Sequence, residues 1–293
     1  MAAPRLYKTE AIILRQRRLG EADRILVAYT PSYGKMDVKA KGVRKTTSRM
    51  SGHLQPLTRC MLQLARGHVS DVVAGCETLE SFQPLREDLD RLSRALYAAE
   101  LIDRFVPERT HSFPTYRLLL ETLRRLAKCG GSVRPFGYAQ DRGSSEPHHE
   151  WEGADHERAG VGDLDQVLRY FEMRLVDQCG FRPELEACSG CGSRLEPQEN
   201  FFFAPQSGGV VCRACVSGLA GARELSLNAL KVLRVLQRGP YNDVVRVRMK
   251  ESLAQEVERH LRSYIVSVLE RDVNAAAFIE RLRCEGARHA VEV

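Results

Sequence analysis

No stretch of the 293-residue chain approaches the roughly 20 consecutive apolar residues that a membrane helix needs. Met1 to Arg5 lead directly into a polar, strand-like segment, with no apolar signal core. A soluble, cytoplasmic protein without membrane contact is therefore expected. Enzyme signatures are also missing. There is no Gly-x-x-x-x-Gly-Lys-Ser/Thr loop to cradle a nucleotide phosphate, and no His-Glu-x-x-His, Gly-x-Ser-x-Gly or Gly-x-Gly-x-x-Gly. No catalytic residues are assigned, and the protein is not expected to be an enzyme. Tryptophan occurs once, at Trp151, and aromatics make up 7% of residues. The nine cysteines are an odd number with no secretory context, which argues against a disulfide framework.

Composition is otherwise that of a folded protein, with 43% hydrophobic and 28% charged residues, and the length suffices for two modest cores. Formal net charge is +6, but residues 1–80 carry fourteen Lys/Arg against seven Asp/Glu. A basic N-terminal part thus joins a nearly neutral remainder. Localised positive charge suits a polyanion, whose counterions are released on binding; a solvated basic surface is the alternative.

Residues 7–80 read as short strands: Lys8 to Arg15, Ile25 to Tyr29, Lys35 to Ala40, Cys60 to Leu64 and Val69 to Cys76. Gly20, Pro31 to Gly34 and Gly52 to Pro56 punctuate them. Five such strands fit a small closed β-barrel. Helical periodicity follows, first with Leu89, Leu92, Leu96, Ala99 and Ile102 on one face, then with Tyr116, Leu119, Leu120 and Leu123 after Pro114. Residues 128–162 lose periodicity and are read as a flexible insertion. It holds His148, His149 and His156, which are read as solvated. Helices resume over Leu164 to Leu175, after Ser226 as N-cap, and from Leu253 to Leu269. The fold class is α+β. The expected domains are a barrel over 1–80, a helical part over 81–187, a cysteine module over 188–222 and a closing helical part over 223–293.

Cys188-x-x-Cys191 and Cys212-x-x-Cys215 form the sharpest motif. Each pair makes a knuckle aiming two sulfurs at one point, and two knuckles complete a tetrahedron that suits Zn²⁺. Gly190 and Gly192 let the knuckle turn, and Phe201 to Phe203 supply a strand between the pairs. Four protein ligands close the coordination shell, so a structural ion is expected rather than a catalytic one. A redox role for one Cys-x-x-Cys is the competing reading.

Lys35, Lys39, Lys41, Arg44, Lys45 and Arg49 form a basic run that leaves the alternating strand for a loop at Gly42, with Arg15 and Arg24 nearby in sequence. Such a loop at a barrel edge tracks a nucleic-acid backbone without reading sequence. Because only Tyr29 and Tyr33 lie near as stacking candidates, and Tyr29 suits the core, binding by charge is expected. An incidental, solvated loop is the alternative.

The order of several motifs resembles the RecO family. They are Thr9-Glu10-Ala11-Ile12-Ile13-Leu14, Gly20-Glu21-Ala22-Asp23-Arg24-Ile25-Leu26, Tyr33-Gly34-Lys35-Met36 and Ala40-Lys41-Gly42-Val43-Arg44-Lys45. Leu175-Val176-Asp177-Gln178-Cys179-Gly180-Phe181-Arg182-Pro183 then precedes the cysteine pairs. The resemblance covers most of the chain except 128–162. It implies an N-terminal OB-fold, a helical remainder and an inserted zinc module that some members lack. It also implies binding of single- and double-stranded DNA, annealing of complementary strands, and help, together with RecR, in loading RecA onto DNA coated by single-stranded-DNA-binding protein. Recognition of that protein's C-terminal tail, on the helical part, and association with the nucleoid during repair follow from the same resemblance. A zinc-stapled interaction adaptor without annealing activity is the alternative function.

Overall fold

The structure is a computed structural model describing residues 5–46, 48–129, 163–196 and 201–269. Its first 80 residues form β1 (Leu6–Leu19), β2 (Asp23–Thr30), β3 (Gly34–Ala40), β4 (Arg59–Ala65) and β5 (Asp71–Glu80). They close in the order β1-β2-β3-β5-β4, antiparallel throughout except where β3 runs parallel to β5. This five-stranded closed sheet is an OB-fold barrel. Val69, expected at the start of a strand, instead sits in the β4–β5 turn and is 85% exposed. Its β-branched side chain suited a strand, but Gly67 on the turn backbone ends the pairing first.

The apolar run Ala11-Ile12-Ile13-Leu14 breaks the simple alternation of a half-buried strand because both of its faces are covered. Ala11 and Ile13 point into the barrel with Leu26, Ala28, Val38, Leu62 and Leu64. Ile12 and Leu14, with Val27 and Tyr29 on β2, instead join the core of the helical part. The barrel is thus docked by its own outer face, not tethered by a linker.

The helices are α1 (Gln83–Arg86), α2 (Leu89–Phe105), α3 (Phe113–Lys128), α4 (Leu164–Gln178), α5 (Leu227–Arg238), α6 (Tyr241–Arg246) and α7 (Glu251–Leu269). Asp88 caps α2 by accepting from the Asp90 and Arg91 amides, and Ser226 caps α5 through the Ala229 amide. On α2 the buried face is wider than the expected stripe. Ala95, Ala98, Leu101, Ile102 and Phe105 are buried, whereas Leu89 is 53% exposed. Along its length α2 meets α3, α4 and the barrel, which widens the buried face. Cys129 closes α3 and is buried; residues 130–162, with Trp151 and the three insertion histidines, lie outside the described residues.

The cysteine pairs flank a small sheet of β6 (Phe201–Ala204), β7 (Gly209–Cys212) and β8 (Arg223–Leu225), ordered β7-β6-β8. Phe201 and Phe203 anchor it in the helical core, and Phe203 stacks edge-on against Tyr264 of α7 at 5.8 Å. No described helix is long and apolar enough to cross a membrane.

Candidate nucleic-acid interface and metal centre

The basic run does not form one uniform surface. Lys35 Nζ lies 3.2 Å from Asp103 Oδ1 on α2, and Arg15 Nε lies 2.5 Å from Oδ2 of the same carboxylate. These two cations hold the barrel to the helices. Farther along the outer face, Lys39 opposes Ile25 and Ile25 opposes Arg17 in one cross-strand row. Arg17 is ion-paired with Asp37, but Lys39 has no carboxylate partner among the described residues.

Beyond β3 the loop is fastened at three points. The Gly42 amide donates to Asp23 Oδ1 at 2.8 Å, the Arg44 amide to the Ala22 carbonyl at 3.0 Å, and Arg44 Nη1 to the Gly20 carbonyl at 3.2 Å. Val43 is buried in the barrel core, as is Leu54 farther along the same connection. A solvated loop would not sink Val43; the anchoring fixes Lys41, Arg44 and Lys45 beside the β1–β2 turn. Lys41, Arg44, Lys45 and Arg49 form no ion pair among the described residues, and Lys41, Lys45 and Arg49 are exposed. Arg24 is turned to Gln16 Oε1 at 2.5 Å, leaving its charge unneutralised by any carboxylate among the described residues. The structure therefore brings Arg24, Lys39, Lys41, Arg44 and Lys45 to one end of the barrel and separates Lys35 and Arg15 from them. Sequence reasoning gives no role to Asp103 or Asp23, because each meets its partner from a distant part of the chain.

The four cysteine sulfurs, Cys188, Cys191, Cys212 and Cys215, all lie within 4.8 Å of one another. Cys191 and Cys212 sulfurs are 3.9 Å apart, against about 3.8 Å for a tetrahedron with Zn–S bonds of about 2.3 Å. The Gly190 and Cys212 amides donate to Cys188 Sγ at 3.4 and 3.3 Å, the backbone arrangement that supports a thiolate. Gly190 is needed for space: a Cβ there would stand 3.0 Å from Cys215 Cβ. Burial opposes ionisation of Cys188, yet the Cys191, Cys212 and Gly190 amides hold its thiol below the ordinary value. The Ser193 hydroxyl, aided by its amide, brings Cys191 down to about 6. Hydrogen bonding with the other sulfurs, Cys191 first, pushes Cys215 up to about 12. A metal at this centre would displace the proton that Cys215 otherwise retains. The donor set fits a metal ion with all four positions filled by protein.

Comparison with known proteins agrees with the two-part architecture. The family model described as Recombination protein O N terminal matches residues 1–82, and the one described as Recombination protein O C terminal matches residues 86–139 and 157–276, passing over 140–156. A DNA repair protein RecO from Dehalococcoides mccartyi is 35% identical over 283 residues, 97% of this chain and 98% of that protein. Another from Roseiflexus sp. is 36% identical over 279 residues, 95% of this chain and 87% of the relative. The DNA repair protein RecO of Symbiobacterium thermophilum is 35% identical over 279 residues, covering 95% of this chain and 98% of its own length. With both halves matched in order, and with relatives of this identity aligned over most of their length, the chain belongs to the RecO family of DNA repair proteins.

Proposed function

We propose that this protein binds single- and double-stranded DNA through the basic end of its barrel, anneals complementary strands, and helps load RecA onto DNA coated by single-stranded-DNA-binding protein. The observation that carries this reading is the anchored loop: Lys39, Lys41, Arg44 and Lys45 stand together, held by buried Val43, with no carboxylate partner among the described residues. Arg24 and Arg49 extend the same charge. Lys35 and Arg15 contribute through the junction that positions it, since both are engaged by Asp103.

Cations so placed neutralise phosphates along one strand, and a second strand then approaches against less repulsion. Base pairing supplies the driving free energy, so no nucleotide hydrolysis and no catalytic residue is required. The four cysteines hold Zn²⁺ as a structural ion that knits β6, β7 and β8 to the helical core. RecR and the C-terminal tail of single-stranded-DNA-binding protein are the partners in this scheme, the tail on the helical part, and the work is done in the cytoplasm at the nucleoid.

The test is fluorescence anisotropy of a labelled oligonucleotide across salt, using wild type and the variant Lys39→Ala, Lys41→Ala, Arg44→Ala, Lys45→Ala. Four lost phosphate contacts should flatten the slope of log affinity against log salt by roughly 3 on a single strand. Binding should weaken alike for all sequences, and annealing of complementary strands should slow with it. An unchanged slope in a folded variant would remove the DNA site from this face.

A further inference from the structure

The opposite end of the barrel carries a different kind of surface. Tyr7, at the start of β1, and Tyr33, in the β2–β3 turn, place their ring centroids 4.9 Å apart at 54°. Arg66, in the β4–β5 turn, lays its guanidinium over the Tyr7 ring, 5.3 Å from the centroid. Neither ring is loose. The Tyr7 hydroxyl donates to Asp71, and Asp71 Oδ1 also accepts from the Gly67 amide at 3.2 Å, so ring and turn share one anchor. The Tyr33 amide donates to Thr30 Oγ1 at 2.9 Å, which fixes its turn. Yet Tyr33 is 39% exposed. Arg5, Arg66 and His68 are exposed where β1 begins and β4 turns into β5, and Asp71 is engaged by Tyr7 and the turn.

Here one ring is pinned, the second leans on it and stays partly exposed, and a planar cation lies over the pinned ring. A nucleobase is the ligand whose chemistry fits: a flat aromatic on a part-exposed phenol ring, with its phosphate beside Arg66.

We propose that Tyr33, supported by Tyr7 and Arg66, is a stacking platform for one unpaired base of single-stranded DNA, a second subsite at the barrel end remote from the Lys41–Lys45 loop. The inference rests on the reading of the barrel as a DNA-binding module. β3 spans seven residues between the two ends, about 23 Å at the rise of a strand. A strand engaging both ends therefore occupies several nucleotides, within the range of one OB-fold. A duplex offers no unpaired base to the platform, so the subsite gives the protein a preference for single strands that the charged loop alone does not.

The experiment compares Tyr33→Ala, Tyr33→Trp and the quadruple loop variant, each on a single-stranded oligonucleotide and on a duplex of the same sequence. Tyr33→Ala should weaken single-strand binding about tenfold while leaving duplex binding and the salt slope as in wild type, because no phosphate contact is lost. Tyr33→Trp should retain single-strand affinity, and its indole fluorescence should quench on binding single strands but not duplex. Unchanged single-strand affinity in Tyr33→Ala, or equal loss on both DNAs, would overturn the platform. The loop variant keeps the two readings apart. If it loses binding while Tyr33→Ala does not, only the platform fails; if it binds as wild type does, the charged face fails as well.

Discussion

Lys35 at the start of β3 and Asp103 near the end of α2 meet 3.2 Å apart, with the lysine side chain only 12% exposed. The same Lys35 ammonium donates to the Asp103 carbonyl, and Arg15 shares the carboxylate. Lys35 and Lys39 therefore sit on one strand, four residues apart, with different tasks.

Lys35→Ala should lower stability by about 1–2 kcal/mol, since it leaves a part-buried carboxylate and carbonyl short of a donor. DNA affinity at low salt should change little. Lys39→Ala should do the reverse, with an unchanged melting temperature and a weaker, less salt-sensitive complex. Melting curves and anisotropy titrations of the two variants separate the roles; a loss of affinity in Lys35→Ala at unchanged stability would return Lys35 to the DNA face.

Metal removal should act on one module. Chelation is expected to release one Zn²⁺ per chain and to raise hydrogen exchange across Cys188 to Leu225, where Cys188, Phe201 and Phe203 are tied into the helical core. Strands β1 to β5 have their own core and should keep their protection. Mass-spectrometric exchange before and after chelation tests this, and uniform loosening of the barrel would contradict it.

Most of the secondary structure was legible because its periodicity is strong. Lys35 to Ala40 alternates, Tyr116 to Leu123 follows one helical face, and Ser226 announces a helix start. The cysteine pairs were legible because tetrahedral coordination dictates spacing. Contacts between distant segments were not. Nothing near Lys35 in sequence signals that Asp103 awaits it, and Val43 within a basic run reads as an ordinary loop residue until the barrel interior receives it. Tyr7 and Tyr33 are separated by two strands, so their pairing needed the barrel to close.

Glycine at 34 is required twice over. Its φ is +69°, and a Cβ there would stand 2.4 Å from the Thr110 carbonyl oxygen. Gly20 has a similar φ of +61° with nothing within 4 Å. Gly20→Ala should thus cost about 1 kcal/mol, the left-handed backbone penalty alone. Gly34→Ala should cost about 3 kcal/mol or more, because the β2–β3 turn must also move away from the segment linking α2 to α3. Denaturant unfolding of both variants measures the difference; equal costs would show that the turn and the Thr110 segment yield freely.

Glu172 is fully buried on α4, accepts from the Tyr97 hydroxyl at 2.7 Å and lies 3.2 Å from Arg169 Nε. Burial raises its pKa to about 7, against the lowering effects of Arg169 and Tyr97. The folded state therefore holds this proton over a range where the unfolded chain, with a carboxyl near 4.3, has lost it. Between those values the folded state binds more protons, so stability falls as pH rises, by up to about 4 kcal/mol, and levels off above about 7. The sign is opposite to that of an ion-paired surface carboxylate such as Glu80, whose pKa Arg124 holds down and whose contribution is lost in acid. Glu172→Gln cannot titrate, so its stability should decline less between pH 5 and pH 7.5 than that of wild type, whatever its absolute value. Chemical denaturation at a series of pH values supplies both curves. Parallel curves would mean that Glu172 is already ionised at pH 5, with Arg169 outweighing burial.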